Sequence, residues 1–473
     1  MISSDWRHSL THVGHHVFHH FLVALALASA VLILEHYGLL NWLDSVALRT
    51  VGVMETSNPA HPSGIDAAPV PLLIGDTYFE QEFEQQSPLN RKELTRLISR
   101  IVEQKPRMLA VDIDLSPGPL GALGNAGQEE LDALLIGTAK AGKLPVVLTL
   151  PYPVITDSLF EVKYSWVKSL CEAGVRFSFP HLVLSQGVAM RYPVLQPTLG
   201  VVAHLAITEG APESTKEVTH ESGVVSDVCA QIAKGPDSAV FLSKHLVMEK
   251  VLVAEELREQ HPINPDYLRN VTRLQRVLTA GKIGEQLEHL EGRTVFLGSE
   301  FDARDEFLTP FGPFRGTTLH AAINYSEQHP IHASHITALV LDLVFGIIAG
   351  FIFGAIWERT NRASAKLAAH PDAWRSWLRA RVWLAMALAI LAIMLIGLFY
   401  GSAVLLSHNL WNNPGPMIIG VFVKSLLASR SSMGPLEPTG ETTSSWQTWM
   451  IINLDWWLLS PLVVWATVIF VSH

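Results

Sequence analysis

Carboxylates that lie close together in the sequence are the residues whose types and spacing suit ligand chemistry. Asp112 and Asp114 lie two residues apart in RMLAVDIDLS (107–116), a stretch typical of a buried strand. Because side chains alternate along a strand, the spacing predicts that both carboxylates face one side, where they can meet a ligand or a cation. In the structural alternative, Asp114 caps the following turn and Asp112 pairs with a neighbouring base. Arg91 can meet either carboxylate as a buried ion pair.

A second polar group follows the predicted strand RTVFLGSE (293–300). Asp302, Arg304 and Asp305 come directly after this strand. They can bind a ligand or a metal ion, or form a local salt-bridge cluster that orders the TPFG turn. Both interpretations stay open from the sequence alone.

Histidines crowd the start of the chain. Those that share one helix face by their spacing are His8, His12, His16 and His19/His20. Such a face can hold a metal ion or a haem, or it can serve as a mildly basic flank beside a membrane span. The flank is the favoured interpretation, so no metal and no cofactor is expected. His12, His16 and His19 are the candidates for the metal alternative.

The composition fits a membrane protein with one large soluble part. The 473 residues are 49% hydrophobic and 16% charged, and the net charge of -10 argues against nucleic-acid binding. The two cysteines, Cys171 and Cys229, pair if this part lies outside the cytoplasm, or stay two buried free thiols. No phosphate-binding glycine loop, nucleophile elbow, HExxH or CxxC occurs. We therefore do not expect an enzyme.

Hydrophobic segments place the soluble part between membrane spans. Each of the segments 21–40, 336–357, 382–406 and 447–471 is long enough to cross roughly 30 Å of hydrocarbon. The region 407–446 is expected to be an outer loop with a re-entrant or short membrane segment. Five spans, with this piece crossing the membrane, is the alternative.

The short loop 358–381 sets the predicted orientation. It carries six basic residues and two acidic ones, and basic loops of this length stay in the cytoplasm. This places the His-rich segment 1–20 inside the cell and the soluble part 41–334 outside. We expect a multi-pass protein of the bacterial inner membrane, with its large domain in the periplasm or outside the cell.

The second predicted span carries features that need protein neighbours. Gly346, Gly350 and Gly354 recur every four residues and form a small-residue face for helix packing, within the chain or between subunits. Asp342 is costly in lipid, so it is expected to face a protein neighbour or a membrane edge. A homo-oligomer or a hetero-oligomer is therefore expected.

The soluble part alternates predicted strands and helices. Strands are predicted at 70–76, 107–116, 144–152 and 293–300, and helices at 91–104, 131–142 and 317–328. This order predicts an α/β fold with a mostly parallel sheet covered by helices on both faces. Ligands of such sheets bind beyond the carboxyl ends of the strands, here at the loops 76–91, 112–120 and 299–316.

The order of several motifs resembles a known family. LIGD, SPLNR, VDIDLSPG, SQGVAMRYP, VFLGSEFDARDEFLTPFG and GTTLHAAINYS follow one another and precede the hydrophobic region, as in the CHASE domain of the second type. The resemblance covers about residues 40–430. Its most specific part is the closing motif: Gly298, Asp305, Thr309-Pro310-Phe311, Gly316 and His320-Ala321.

This resemblance implies an extracytoplasmic sensory domain with one span before it and about three after it. Such domains usually feed a cytoplasmic kinase, cyclase or similar output, and none follows the last span here. Two further departures concern the site: Gln186-Gly187 stands where the family has an acidic-Gly turn, with Arg191 kept, and only Asp76 remains of an acidic pair.

The expected function is a sensory or input module of the membrane that works through partner proteins. A small molecule or a peptide is the expected ligand. The candidate ligand-binding residues are Asp76, Arg91, Asp112, Asp114, Arg191, Asp302, Asp305 and His320. The alternative is a structural or adaptor subunit of an envelope assembly, in which the domain is a protein-binding surface.

Overall fold

A computed structural model describes most of the region between residues 67 and 331 and part of the hydrophobic regions. The described residues are 25, 26, 29, 46–48, 50, 51, 67–118, 125–140, 142, 144–151, 157–180, 182, 184, 189–193, 197–208, 218–220, 223–225, 228–233, 260–302, 305–331, 340, 343–349, 351–353, 355, 356, 359, 374–406, 414, 415 and 418. The chain separates into two compact units. One unit is Ala60–Ile331, and the other combines Met1–Pro59 with His332–His473.

Strands and helices alternate along the unit Ala60–Ile331. In chain order they are β1 (Val70–Ile74), α1 (Asp76–Gln81), α2 (Arg91–Glu103), β2 (Met108–Val111), α3 (Gln128–Lys140), β3 (Val146–Thr149), α4 (Asp157–Glu172), β4 (Arg176–Ser178), β5 (Arg191–Pro193), α5 (Leu199–Thr208), β6 (Val218–His220), β7 (Gly223–Val225), α6 (Val228–Ala233), β8 (Gln260–Pro262), α7 (Pro265–Arg269), α8 (Val271–Leu274), β9 (Arg276–Leu278), α9 (Ile283–Leu287), β10 (Thr294–Ser299), β11 (Glu306–Thr309), β12 (Gly312–Arg315) and α10 (Gly316–Gln328).

Six of these strands form one parallel sheet in the order β4-β3-β2-β10-β1-β9. Val70 of β1 pairs with Val295 of β10, and Thr294 of β10 pairs with Met108 of β2. Every residue of β1 and β2 is buried, which is typical of parallel strands covered on both faces. The predicted α/β class and the mostly parallel sheet are confirmed.

Each face of the sheet has its own apolar core because side chains alternate along a strand. Leu109 and Val111 of β2 belong to the core that α2, α3 and α4 cover. Met108 and Ala110 belong to the core that α5 and α10 cover. The site described below lies at the end of β2, where these two layers meet.

Helix α2 forms as its sequence predicts. The Asn90 side chain accepts a hydrogen bond from the backbone N–H of Lys92 (3.1 Å) and caps the helix. The apolar residues at helical spacing, all buried, are Leu94, Leu97, Ile98 and Ile101. This face packs on the sheet, and it accounts for the crossover from β1 to β2.

Helices α5 and α10 cross closely on the other face of the sheet. A Cβ atom at Gly200 would lie 2.4 Å from the carbonyl oxygen of His320, so only glycine permits this approach. The Asn324 amide donates a hydrogen bond to the carbonyl oxygen of Gly200 (3.2 Å) across the same contact. These two contacts with α5 fix where α10 lies along its own axis.

Within the described residues, three antiparallel pairs of strands add to the predicted parallel sheet. They are β5 with β8, β6 with β7, and β11 with β12. Their strands have only three or four residues, too few to produce a strand periodicity in the sequence. The β11–β12 hairpin leads directly into α10.

The second unit contains a helix of 33 residues, α11 (Trp374–Leu406). Within the described residues, its part Arg381–Leu406 is the one helix long and apolar enough to cross a membrane. It overlaps the predicted span 382–406. A small apolar core joins it to the region before it, and its buried residues are Ala349, Phe353, Ile356, Ala387, Leu391 and Leu395.

The other predicted membrane segments fall mainly on residues that the structure does not describe. The spans 21–40 and 336–357 are described only at scattered or partial positions, and 447–471 lies wholly outside the described residues. Of the glycine stripe, Gly346 is described and half-buried. Gly350, Gly354 and Asp342 lie outside the described residues, as do His12, His16 and His19.

A disulfide joins Cys171 of α4 to Cys229 of α6, with a Cα–Cα distance of 5.4 Å. Of the two alternatives for these cysteines, the structure contains the paired one. The bond links two residues that are 58 positions apart in the sequence, and it lies beside β4. The half-buried cysteines pack against the core under α4.

Replacing Cys171 and Cys229 together by serine is expected to lower the free energy of unfolding of Ala60–Ile331 by about 2–5 kcal/mol. The reason is that the bond restricts the unfolded chain over a long loop. Urea unfolding of the full chain in detergent measures the change. As a control, a reductant should destabilise the wild-type chain by a similar amount and leave the double variant unchanged. Equal stability of the two chains would contradict the expectation.

Candidate functional site

The candidate site lies at the carboxyl ends of the neighbouring strands β2, β10 and β1. The chain moves from β1 towards β4 in one direction and later returns to place β9 and β10 on either side of β1. The strand order therefore reverses at this point. Crevices at such reversals are where open α/β sheets bind ligands. Asp112 follows β2, Asp76 follows β1, and Glu300 to Asp305 follow β10.

Asp112 joins the end of β2 to the start of α10. Its backbone N–H donates to the carbonyl oxygen of Leu297 (2.8 Å), which extends the pairing of β2 with β10 by one residue. Its Oδ2 accepts a hydrogen bond from the Thr317 hydroxyl (2.9 Å). Thr317 is fully buried and Asp112 is half-buried, so this bond is partly shielded from water.

Gly298 of β10 makes the approach of Thr317 possible. A Cβ atom at position 298 would lie 1.8 Å from Oγ1 of Thr317 and 2.7 Å from its Cβ. No side chain fits there without moving α10 off the sheet. Glycine is needed at position 298 because the Thr317 hydroxyl occupies the space that a side chain would take, and not because of the backbone conformation.

Asp305 contacts the residue that precedes Thr317 at the start of α10. Its carboxylate accepts a hydrogen bond from the backbone N–H of Gly316, the first residue of α10. A Cβ atom at Gly316 would lie 2.4 Å from Oδ1 of Asp305. Two aspartates, Asp112 and Asp305, thus contact two consecutive residues at the start of one helix. A helix N-terminus favours negative charge, because its first N–H groups have no partner within the helix.

Burial strongly raises the pKa values of the Asp112 and Asp305 carboxyl groups. It raises the pKa of Asp112 to about 6, against the opposing hydrogen bond from Thr317. Burial and the negative charge of Asp112 raise the pKa of Asp305 to about 7, and Asp302 adds to the rise. The hydrogen bond from Gly316 and the charge of Arg315 oppose it. The surface of Asp112 and Asp305 is only partly covered, so both remain within reach of solvent.

Arg315 supplies positive charge beside the pair. Its Nη1 donates to the carbonyl oxygen of Asp302 (3.0 Å) and lies 3.7 Å from Oε2 of Glu306. Burial raises the pKa of Glu300, with repulsion from Asp76 adding to the shift and Arg315 opposing it. Among the described residues at this edge of the sheet, acidic groups therefore outnumber basic ones.

An aromatic pair lies beside these carboxylates. The rings of Phe79 in α1 and Phe301 after β10 stack with their centroids 3.9 Å apart and their planes 5° apart. Both side chains are half-buried. The stack connects the segments that follow β1 and β10, so it closes the edge of the sheet next to the acidic groups.

The structure does not place Asp112 and Asp114 on one face. β2 ends at Val111, so the alternation of a strand no longer applies to the residues beyond it. Oδ1 of Asp114 accepts from the backbone N–H of Ser116 (2.9 Å), and Oδ2 lies 3.3 Å from Nζ of Lys163. This agrees with the turn-capping interpretation of Asp114, whereas the partner of Asp112 is a threonine and not a base.

Arg91 is buried near Asp114 without forming the predicted ion pair. It is 2% exposed, and its Nη2 donates to the carbonyl oxygens of Ser116 (3.0 Å) and Asp114 (3.3 Å). Burial lowers the pKa of Arg91, and the charges of Asp114 and Asp132 oppose the shift. Arg91 therefore holds the backbone of the loop after β2 and does not contact the pair Asp112–Asp305.

The remaining predicted site residues lie apart from the pair. His320 is buried, with Nε2 3.3 Å from the carbonyl oxygen of Pro180, and burial lowers its pKa to about 4, so its ring is neutral near pH 7. Arg191 belongs to β5, where it pairs with Pro262 of β8. Asp76 is exposed at the start of α1. Arg304 lies outside the described residues.

Three residues that the sequence reasoning missed complete the site. Thr317 was not singled out, and Arg315 and Glu300 were included only as part of the loop 299–316. Thr317 begins the predicted helix 317–328, and a hydroxyl at a helix start next to a strand end is a usable signal. Among the described residues, no group of three or more His, Cys, Asp or Glu is arranged to hold a metal ion.

The fold and the site define a class: a doubly wound α/β domain whose carboxylates gather at the reversal of strand order. The chain belongs to the CHASE2 domain family, whose model matches residues 23–352. CHASE2 domains are extracytoplasmic sensory domains. No curated protein and no solved structure matches the chain.

Replacing Gly298 by alanine is expected to destabilise the domain by about 1–3 kcal/mol or more, because the added methyl overlaps Thr317. Urea unfolding of the full chain in detergent measures this. A second change, Thr317→Ala, should not restore stability, since the Cβ of residue 317 remains 2.7 Å from the new methyl. Thr317→Gly should restore part of it. A fully stable Gly298→Ala chain would show that α10 is not held at this contact.

Proposed function

We propose that the chain is a sensory input module of the bacterial inner membrane, and that the carboxyl edge of its sheet receives the signal. The observation that carries this proposal is the course of α10. The helix begins at the two carboxylates and ends at Gln328, three residues before the boundary of the unit at Ile331. The site and the exit of the domain are therefore the two ends of one helix.

Helix α10 is suited to transmit a displacement. Its 13 residues span about 20 Å at 1.5 Å per residue. Its residues from Gly316 to Ser326 are buried, so the helix is packed along most of its length on β10, β1 and α5. Packed helices can slide by small amounts against their neighbours. A change in the contacts of Gly316 or Thr317 is then felt at the other end.

The exposed face of α11 supports the lipid bilayer as a partner of the second unit. Its exposed apolar side chains are Leu378, Val382, Met386, Ile393, Ile396, Tyr400 and Val404. A face of this kind is unfavourable in water and stable in hydrocarbon. We assign the unit to the membrane, with several spans in total and with the domain Ala60–Ile331 in the periplasm or outside the cell.

The disulfide supports the same location for the domain. Disulfides persist in oxidising compartments such as the periplasm and are rare in the cytosol. Cys171 and Cys229 are bonded within the described domain. A signal received there needs a receiver, so we propose that the chain acts through other membrane or periplasmic proteins, in a homo- or hetero-oligomer. The ligand class that we propose at this edge is a small molecule or a peptide.

Thiol labelling in spheroplasts tests the proposed orientation. A cysteine at Glu291, which is exposed in a turn of the domain, is expected to react with a membrane-impermeant maleimide. A cysteine at Lys366, in the basic loop, is expected to react only after the membrane is permeabilised. The native cysteines do not compete, because they are bonded to each other. Labelling of Lys366→Cys in intact spheroplasts would contradict the orientation.

A nitroxide label on α11 tests whether the site is coupled to the membrane unit. Val382 is 60% exposed, so a labelled Val382→Cys chain is expected to remain folded. Thr317→Val removes the hydroxyl that binds Asp112, and it should change the mobility of the label in the full chain in nanodiscs. The matched control is Glu103→Gln, an exposed change at the end of α2, which should leave the label unchanged. An unchanged label in the Thr317→Val chain would favour the adaptor alternative.

A further inference from the structure

We propose that Asn264 and Tyr267 are positioning residues that join the two chain connections between the domain and the second unit. The entry is the connection that reaches the sheet at Pro69, directly before β1, and the exit is the one that leaves α10 at His329. The segment Asn264–Tyr267 is called the bridging segment below. Its role rests on the proposed function and states how a movement of α10 reaches both connections.

The entry and the exit lie at the same edge of the sheet. Helix α10 begins beside the end of β2, where Thr317 binds Asp112, and it packs along β10 and β1. It therefore runs against the direction of the parallel strands and ends at their amino edge. β1 begins at this edge, one residue after Pro69. The candidate site lies at the opposite edge.

Asn264 binds the last turn of α10 with its backbone and with its side chain. Its backbone N–H donates to Oγ of Ser326 (2.8 Å), and its Nδ2 donates to the carbonyl oxygen of His329 (3.1 Å). Carbonyl groups at the end of a helix have no partner within the helix, so this amide supplies one. Its Oδ1 accepts from the backbone N–H of Asp266 (3.0 Å) and caps α7. Asn264 is 2% exposed, and it links the start of α7 to the end of α10.

Tyr267 binds the entry and also contacts α10. Its hydroxyl donates to the carbonyl oxygen of Pro69 (2.9 Å), and the side chain is fully buried. The centroid of its ring lies 5.4 Å from that of Tyr325 in α10. The ring of Tyr325 in turn lies 4.5 Å from the ring of His329. One tyrosine thus contacts the entry through its hydroxyl and the exit helix through its ring.

Contacts on its other sides hold α7 in place. The helix has five residues, too few to be stable alone. Asn270 donates through Nδ2 to the carbonyl oxygen of Asp266 (2.8 Å) and closes its last turn. Arg269 pairs with Asp266 (3.0 Å), and its guanidinium lies 5.6 Å from the ring centroid of Phe311. These contacts let the bridging segment move as one body.

A displacement of α10 therefore reaches the entry as well as the exit. Movement of Ser326 and His329 displaces Asn264, and α7 then displaces the hydroxyl of Tyr267 that binds Pro69. Packed helices slide against their neighbours by small amounts in many conformational changes. We expect both chain connections to respond together. Without the bridging contacts, only the exit would respond.

Reciprocal measurements on the full chain in lipid nanodiscs test this role. Tyr267→Phe removes the bond at the entry and is read at the exit, by hydrogen exchange of the His329 amide, which donates to the carbonyl oxygen of Tyr325 (2.9 Å). This exchange is expected to rise by about two- to tenfold, the factor that a typical hydrogen bond contributes. Asn264→Asp keeps the cap of α7, removes the donor at the exit, and is read at the entry. A nitroxide on Ala67→Cys, an exposed position, is expected to become more mobile.

Two variants with the same chemistry serve as controls. Tyr164→Phe also removes a buried hydroxyl that donates to a carbonyl oxygen, that of Ile232 (3.2 Å). Asn125→Asp keeps the acceptor for the backbone N–H of Gly118 and removes the donor to its carbonyl oxygen (3.2 Å). None of these contacts involves the entry, the exit or the bridging segment. Both controls should leave the exchange of His329 and the mobility of the Ala67 label unchanged.

Either of two results would overturn the bridging role: unchanged exchange of His329 in the Tyr267→Phe chain, or an unchanged Ala67 label in the Asn264→Asp chain. Thermal unfolding shows whether each variant is folded, and each supplies the test if the other does not fold. The label on Val382 separates the two proposals. If it responds to Thr317→Val while a reciprocal readout stays unchanged, the bridging role fails and the sensor is kept. The converse keeps the bridging contacts and removes the sensor.

Discussion

The Thr317 hydroxyl lies between Gly298 and Asp112. The rest of the domain depends on this contact. It sets the height of α10 above the sheet, because a hydroxyl in contact with a glycine allows the helix start to lie directly on β10. It also fixes the end of β2, since Asp112 is bonded both to β10 and to the helix. Asp112 and Asp305 are thereby bonded to consecutive residues at the start of the same helix.

The two aspartates that follow β2, Asp112 and Asp114, have different partners for their carboxylates. On one face, Asp112 is bonded to a neutral hydroxyl and lies near another carboxylate, so its charge is not compensated. On the other face, Asp114 binds the turn at Ser116 and pairs with Lys163. Arg91 is occupied by backbone carbonyls. A compensated cluster is suited to hold structure, whereas buried carboxylates with strongly raised pKa values respond to their surroundings.

The sequence predicted the sheet better than the site. The buried strands after residues 70, 107, 144 and 293 carry continuous apolar runs, and such runs are visible without tertiary information. The grouping of Asp112 with Asp305 needs the register of β10 between β1 and β2, which local patterns do not contain. The expectation that Asp112 and Asp114 face one side was wrong because β2 ends at Val111, whereas the pattern indicates a strand that continues to residue 116. Thr317 was missed because a hydroxyl has no periodic signature.

The two carboxylates lie at the start of α10 and not elsewhere on the edge of the sheet, and this placement has a mechanical consequence. The other helices that begin near this edge, α1, α2 and α3, lead back into the sheet. Helix α10 is followed after three residues by the unit that contains α11. A charge change at the start of α2 would be absorbed by the core around Leu94 and Ile98. The same change at Gly316 acts on the element that connects the two units through the chain.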